Sequence, residues 1–205
     1  MISHDSSLLR SPSTFRFGGV LLLLLASIPM SAAAQDAPRA EIFGGYSFLH
    51  ADLGSSEYLN GFHLSGTLNT KKWVGMAADF SSHYGSTTAI TPLDTFRPNI
   101  SAQLLTFGPR FSLRNEAVTT FGHVMFGVVR LHQANATGTT NPTMVLQGGT
   151  DTSPAVQFGG GVDVKASENL ALRIFQADYI MTFFGTTRQN HIRLSTGLVV
   201  RLGAQ

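Results

Sequence analysis

The sequence predicts an all-β fold, an eight-stranded antiparallel up-and-down transmembrane β-barrel, on three observations. Eight runs of strand length alternate apolar and polar residues. The connections between them switch between short turns and longer loops. Charged residues make up 13% of the 205-residue chain, against roughly 25% for an average soluble domain, although the hydrophobic fraction of 43% is ordinary.

The N-terminus is read apart from the barrel. Arg10 and Arg16 precede FGGVLLLLLASIPM, an apolar stretch short for a transmembrane helix. SAAAQ follows, where Ala32 and Ala34 fit a small-x-small cleavage pattern. Residues 1–34 therefore read as a secretory signal peptide cut before Gln35, and 35–205 as one barrel domain.

The predicted strands are 40–50, 60–69, 73–82, 100–113, 117–131, 155–165, 169–183 and 190–203. Short turns fall at 69–72, 113–116 and 166–169. Longer connections rich in Ser, Thr, Gly, Asn and Pro fall at 51–59, 83–99, 132–154 and 184–189. Each strand has two faces. In the sixth, Gln157, Gly159, Gly161, Asp163 and Lys165 oppose Val156, Phe158, Gly160, Val162 and Val164. In the eighth, His191, Arg193, Ser195, Gly197 and Arg201 oppose Ile192, Leu194, Thr196, Leu198, Val200 and Leu202.

Alternation alone leaves open which face is inside, and a soluble lipocalin-like binder has its apolar face inward. Three features favour an apolar exterior in lipid. The polar faces are dominated by small residues, they carry both charge signs, and the runs are about ten residues long, enough for a tilted crossing. The polar face then becomes a lumen just wide enough for side chains to fill. Glu41, Asp79, Arg110, Asp163, Lys165, Asp178, Arg193 and Arg201 are expected to form an ion-pair network there, because an unpaired buried charge is expensive.

Three places depart from this pattern. Arg173 and Asp178 lie on opposite parities of the seventh strand, so either a bulge near 174–175 lets both face inward or Arg173 snorkels to the interface. Pro109 lacks an N–H and is expected to weaken the fourth strand's ladder. The run VTTFGHVMFGVVRLHQ alternates poorly, with His123 placed inward. On the same reading Val162→Arg costs about 2–4 kcal/mol at the lipid face, and Gly161→Ser on the lumen face much less.

The stretches EIFGGYSFLHAD (41–52), WVGMAADFSSHYG (73–85), TFGPRFSL (106–113), LALRIFQADYIMT (170–182) and HIRLSTGLVVRL (191–202) resemble the small outer-membrane β-barrel proteins, the OmpA-like, porin-type barrel domains. The resemblance covers essentially all of residues 35–205. It implies a place in the bacterial outer membrane, with periplasmic termini, long loops outside, outer-membrane lipid around the belt, and insertion by the barrel-assembly machinery. The family's C-terminal assembly signal corresponds to Ser195, Gly197, Val200 and Leu202, with Leu202 where an aromatic is usual.

No residue is assigned to catalysis, to a cofactor or to a metal. His50, His63, His83, His123, His132 and His191 read as rim or lumen-filling side chains, since a metal site needs three to converge. His191 and Ser195 share a face two dyads apart, too far for direct contact, and SSHYGS (81–86) holds suitable residue types but does not resemble the His–Ser–Asn pattern of outer-membrane deacylases. With fourteen basic residues against twelve acidic and no basic run, there is no nucleic-acid signature. There is no cysteine, which excludes disulfides and thiolate metal sites. Trp73, Tyr46, Tyr84 and Tyr179 are expected in an interfacial aromatic belt. The expected role is structural or surface-interacting, with an unidentified surface ligand; the alternatives are a lipid A-modifying barrel enzyme and the soluble binder.

Overall fold

The structure, a computed structural model, describes residues 37–52, 56–185 and 187–204. The expected signal peptide lies outside these residues. In chain order the strands are β1 (Pro38–Asp52), β2 (Ser56–Lys71), β3 (Val74–Ser86), β4 (Ala89–Ile90), β5 (Thr95–Phe96), β6 (Asn99–Arg114), β7 (Val118–Gln133), β8 (Ala136–Thr137), β9 (Val145–Leu146), β10 (Gly149–Lys165), β11 (Leu170–Phe184) and β12 (Thr187–Ala204). The eight long strands form one closed antiparallel barrel, each beside its sequence neighbour, and β12 returns to pair with β1. The four two-residue strands make two small ladders in the loops at one end.

Closure satisfies the backbone of every barrel strand from its two neighbours, the condition for crossing a bilayer. The seam between β1 and β12 runs from Pro38↔Ala204 to His50↔Ile192. At its middle Gly45 faces Gly197, where the sheets approach so closely that a Cβ on Gly45 would lie 2.1 Å from the Thr196 carbonyl oxygen. The Phe43 ring also lies against this position.

The strands begin and end where the turn signals place them at the short-turn end, but they run further at the loop end. β10 starts at Gly149, six residues before the expected 155, and pairs with β7 from Gly149↔Gln133 onward. Residues Gly149, Thr150, Asp151 and Thr152 are polar or small on both faces and exposed, so they carry no alternation. A ladder above the membrane needs none. Val145 and Leu146 form β9 and pair with β8 in the loop.

The faces settle the orientation. Ile42, Leu64, Met76, Phe107, Phe126, Phe158, Leu172 and Leu198 are exposed on the outside, Phe107 at 63% and Leu198 at 52%, while Asp163 and Arg193 are fully buried within. A lipocalin-like interior is thereby overturned. β11 carries the bulge: Arg173 pairs with Gly197 and Gln176 with Ser195, so two residues intervene on β11 against one on β12. Ile174 and Phe175 both point outward, at 48% and 45% exposure, and Arg173 and Asp178 both become buried. Pro109 also acts as expected, since the β6–β7 pairing passes from Phe107↔Phe126 to Arg110↔His123, stepping over Gly108 and Pro109.

Candidate functional site: a lumen filled in two layers

The polar face of β12 delivers Arg193 to the centre of the lumen, at 0% exposure. Its Nη1 and Nη2 donate to the two carboxylate oxygens of Asp79 on β3, each at 3.0 Å. Its Nε and Nη2 donate to Asp178 Oδ2 on β11 at 3.0 and 2.8 Å, and Nη1 donates to Ser81 Oγ at 2.7 Å. The carboxylates are met further by His63, with Nε2 2.6 Å from Asp79 Oδ2, and by His123, with Nε2 2.9 Å from Asp178 Oδ1. Gln176 Nε2 donates to Asp178 at 2.9 and 3.1 Å. Such charge-assisted, forked geometry is the kind that offsets burial of ions.

Toward the short turns a second cluster follows. Asp163 accepts from Arg173 Nε and Nη2 at 2.7 and 3.1 Å and from Arg110 Nη2 at 3.2 Å. The guanidiniums interleave with rings: Arg173 lies 4.2 Å from the Phe43 centroid and 4.4 Å from that of Phe121, and Arg110 lies 3.8 Å from Phe121. An aromatic face attracts a cation, more strongly when both are out of water, so Phe121 offers its ring to both of the like charges that share one carboxylate. Gly161 makes the space; a Cβ there would lie 2.9 Å from Phe121 Cζ and 2.4 Å from the Phe175 carbonyl oxygen. The expectation that Gly161→Ser costs much less than Val162→Arg meets this close approach, which adds a steric cost to the serine. Glu41 stands below, with Arg114 Nη2 at 3.3 Å, Arg201 Nε at 3.5 Å and Arg110 Nη2 at 3.6 Å.

Of the eight charged residues placed in the lumen by sequence, seven meet in these clusters. Lys165 does not. It ends β10 and its Nζ lies 2.7 Å from Glu168 Oε1 in the adjacent turn, with the side chain a quarter exposed, because a long side chain at a strand end reaches water more cheaply than an interior site. Arg114 is an interior partner that sequence reading assigns to a turn. Its parity with Arg110 and Ser112 is the signal that finds it.

The loop half of the lumen is different in kind. Leu49, Leu59, Ile100, Ala102, Leu104, Val129, Ala155 and Ile180 form one buried apolar cluster inside the barrel, with Leu131 and Phe184 against it. A cavity of about 30 Å³ remains between Leu104, Val129, Ile180, Phe184 and His83, room for about one water. This layer explains why β7 alternates poorly: its inward residues, Phe121, Met125 and Val129, are themselves apolar and buried. His123 is inward, as read.

Between the layers runs a hydrogen-bonded chain that spacing along the sequence cannot reveal, because it joins four strands. His63 Nε2 lies 2.6 Å from Asp79 Oδ2, and its Nδ1 lies 3.1 Å from Ser195 Oγ. Ser195 Oγ lies 3.0 Å from Ser47 Oγ, and Ser47 Oγ lies 2.8 Å from His83 Nε2. Ser195, His63 and Asp79 thus have the connectivity of an acyl-transfer triad, yet all three are buried and Asp79 is already committed to Arg193. His191 instead bonds Thr182, Nε2 to Oγ1 at 2.8 Å. Among the described residues no group of three His, Cys, Asp or Glu side chains is placed to hold a metal ion.

Of the assembly-signal residues, Ser195 is buried inside, and Val200 and Leu202 are exposed outside at 41% and 45%. All four tyrosines, Tyr46, Tyr58, Tyr84 and Tyr179, face outward. Tyr46 OH bonds Asn60, and Tyr179 OH donates to Asn190 Oδ1 at 2.8 Å. Trp73 sits in the turn before β3, stacked on Phe111 with centroids 6.1 Å apart. Loops 87–98 and 134–148 are stitched together: Thr139 N donates to Thr95 O at 2.9 Å, and Phe96 bridges Gly138. Asp94 is the fastener, accepting from Asn141 N and Thr95 N at 2.7 Å and from Thr140 N at 3.0 Å. These backbone donors, Asn141 first, hold its carboxyl at about 2, below the ordinary carboxylate range.

Comparisons with known proteins agree with this fold. The barrel of Ail, the attachment invasion locus protein of Yersinia pestis, solved with the heparin analogue sucrose octasulfate, superimposes with a TM-score of 0.52 at 16% identity, covering 80% of this chain and 99% of that one. Neisserial surface protein A superimposes with a TM-score of 0.60 at 11% identity, covering 80% and 97%. No curated protein matches the sequence. The family model described as the outer membrane protein beta-barrel domain matches residues 20–198, and with that match the chain belongs to the outer-membrane β-barrel family and resides in the outer membrane.

Proposed function

We propose that this barrel has a structural and surface-interaction role, its lumen closed to solutes and its long loops forming the working face. The observation that carries this reading is the filling of the lumen twice over, by the ionic clusters around Arg193 and Asp163 and by the apolar layer around Leu104 and Val129. Ions crossing it meet first a dry constriction and then fixed charges already paired with one another. Planar bilayer recording is the test: the reading expects small conductance at most, and large steady currents would reject it.

At the loop end, the joint held by Asp94 makes 87–98 and 134–148 one preorganised surface, the kind of rigid platform on which binding loops act. Arg97, Arg130 and Arg188 are exposed at this end of the barrel. The sulfated sugar bound by Ail makes a sulfated saccharide the first probe for this surface. Ser195, Gly197, Val200 and Leu202 are the residues through which the barrel-assembly machinery would recognise the nascent chain.

A lipid A-modifying activity has one observation in its favour, the connectivity of Ser195, His63 and Asp79. Against it stand the burial of all three and the bidentate hold of Arg193 on the acid. Lipid A profiles of cells with and without the protein separate the readings; a changed profile abolished by Ser195→Ala would establish the enzyme.

A further inference from the structure

The short-turn end of the lumen buries more positive charge than negative. Glu41 is the only carboxylate within 4 Å of Arg114 and Arg201 among the described ion pairs, and it also faces Arg110. Asp163 is shared between Arg110 and Arg173. Among the described residues four guanidiniums thus stand against two carboxylates, an excess of two charges. Lys165 and Glu168 cancel each other nearby. A guanidinium cannot shed its proton, so burial does not remove this excess.

The contacts to Glu41, 3.3 to 3.6 Å, are long beside the roughly 2.7–2.9 Å of a good charge-assisted bond. One carboxylate is spread over three cations, whose bonds beyond the two carboxylates go to neutral acceptors that leave the charge uncancelled: Arg114 Nη1 donates to Lys72 O at 2.6 Å, Arg201 Nη2 to Thr119 Oγ1 at 3.0 Å and Arg110 Nη1 to Thr67 Oγ1 at 3.2 Å. Independently, Arg110 Nε, Arg114 Nε and Ser112 Oγ are buried atoms with no hydrogen-bond partner, and Arg201 Nε and Glu41 Oε1, 3.5 Å apart, are buried without closing a hydrogen bond to each other or to anything else. Arg110 and Ser112 are each 3% exposed. Arg110, Ser112 and Arg114 share the inner face of β6, and Arg201 pairs with Glu41 across the seam.

We propose that this end of the lumen is a binding site for a small oxyanion of the phosphate class, held by Arg110, Ser112, Arg114 and Arg201. The guanidinium fork matches a tetrahedral oxyanion. The anion approaches from the short turns, where Arg114 and Arg201 are the members that reach water, with side chains 9% and 12% exposed. It enters from that mouth, since the apolar layer closes the other. Its charge meets the excess that Glu41 leaves unpaired.

The test titrates inorganic phosphate into the folded protein in a neutral detergent at fixed ionic strength, reading binding by calorimetry and stability by the temperature at which the heat-modifiable band shifts. Saturable binding near one phosphate per chain, with a rise of several degrees, is expected. Arg201→Gln, checked for native gel mobility, should weaken binding at least tenfold, while Lys71→Gln, at the exposed end of β2, should leave it unchanged. If Arg201→Gln does not fold, Arg114→Gln replaces it. A stability change that follows ionic strength alone, equal in chloride, means the cluster is merely hydrated and overturns the proposal. So does binding that survives the arginine variant or is lost with Lys71→Gln.

Discussion

Arg193 grips Asp79 through two parallel hydrogen bonds of 3.0 Å, although 114 residues separate them in sequence. The same guanidinium holds Asp178. Arg193→Met therefore strands two buried carboxylates, and breaking a buried pair from one side costs about 3–5 kcal/mol. Urea unfolding, followed by the fraction of heat-modifiable band, should show that loss. Adding Asp79→Asn and Asp178→Asn should restore part of it, because the penalty is an uncompensated charge rather than a missing contact; an unimproved triple variant argues against the pairing.

Val162 points outward from β10 between Gly161 and Asp163, both of which are buried. Val162→Arg should cost about 2–4 kcal/mol in lipid vesicles if it lies near the bilayer midplane, and Val162→Ala far less. Gly161→Ser is expected to destabilise as well, through its clash with the Phe175 carbonyl and the Phe121 ring. The two differ in kind: the cost of the arginine should shrink in a thin bilayer, and that of the serine should not.

In the proposed closed lumen the two layers act in series, so opening one should not open the barrel. Leu104→Ser with Val129→Thr wets the apolar layer yet leaves Arg193 in place; Arg193→Ala removes the charge cluster yet leaves the layer. Each is expected to stay nearly silent in planar bilayers, and the combination to conduct. A single variant that conducts as well as the combination would mean that only one layer is a barrier.

Asp94 makes the loop joint pH-dependent at strong acidity. Its carboxyl is held at about 2, below its ordinary 3.8, so its contribution is complete above about pH 4 and disappears as the pH falls through 2. Asp94→Asn loses the negative charge that its backbone donors hold at every pH. Faster protease cutting within 134–148 at neutral pH, with an unchanged barrel unfolding midpoint, is the expected result. Equal cutting rates would show that the joint holds without this carboxylate.

The sequence by itself determined the strand count, the order of turns and loops, and the division of each strand into a greasy and a polar face. Those properties are local: period-two alternation and turn residues act within a few positions. It even contained the β11 bulge, since Arg173 and Asp178 could be reconciled inward only by an extra residue at Ile174–Phe175. Partners were another matter. Which carboxylate Arg193 takes, the sharing of Asp163 by Arg110 and Arg173, and the chain from Asp79 to Ser195 all depend on side chains from strands far apart meeting across the barrel.

Tertiary structure alone also decided that the lumen changes character along its axis. An inward Leu104 or Val129 reads, in sequence, like an outward one, because alternation records only that two faces differ. Closure of the sheet turns one of those faces into an interior, and the narrow width of eight strands forces its side chains to pack against each other in layers.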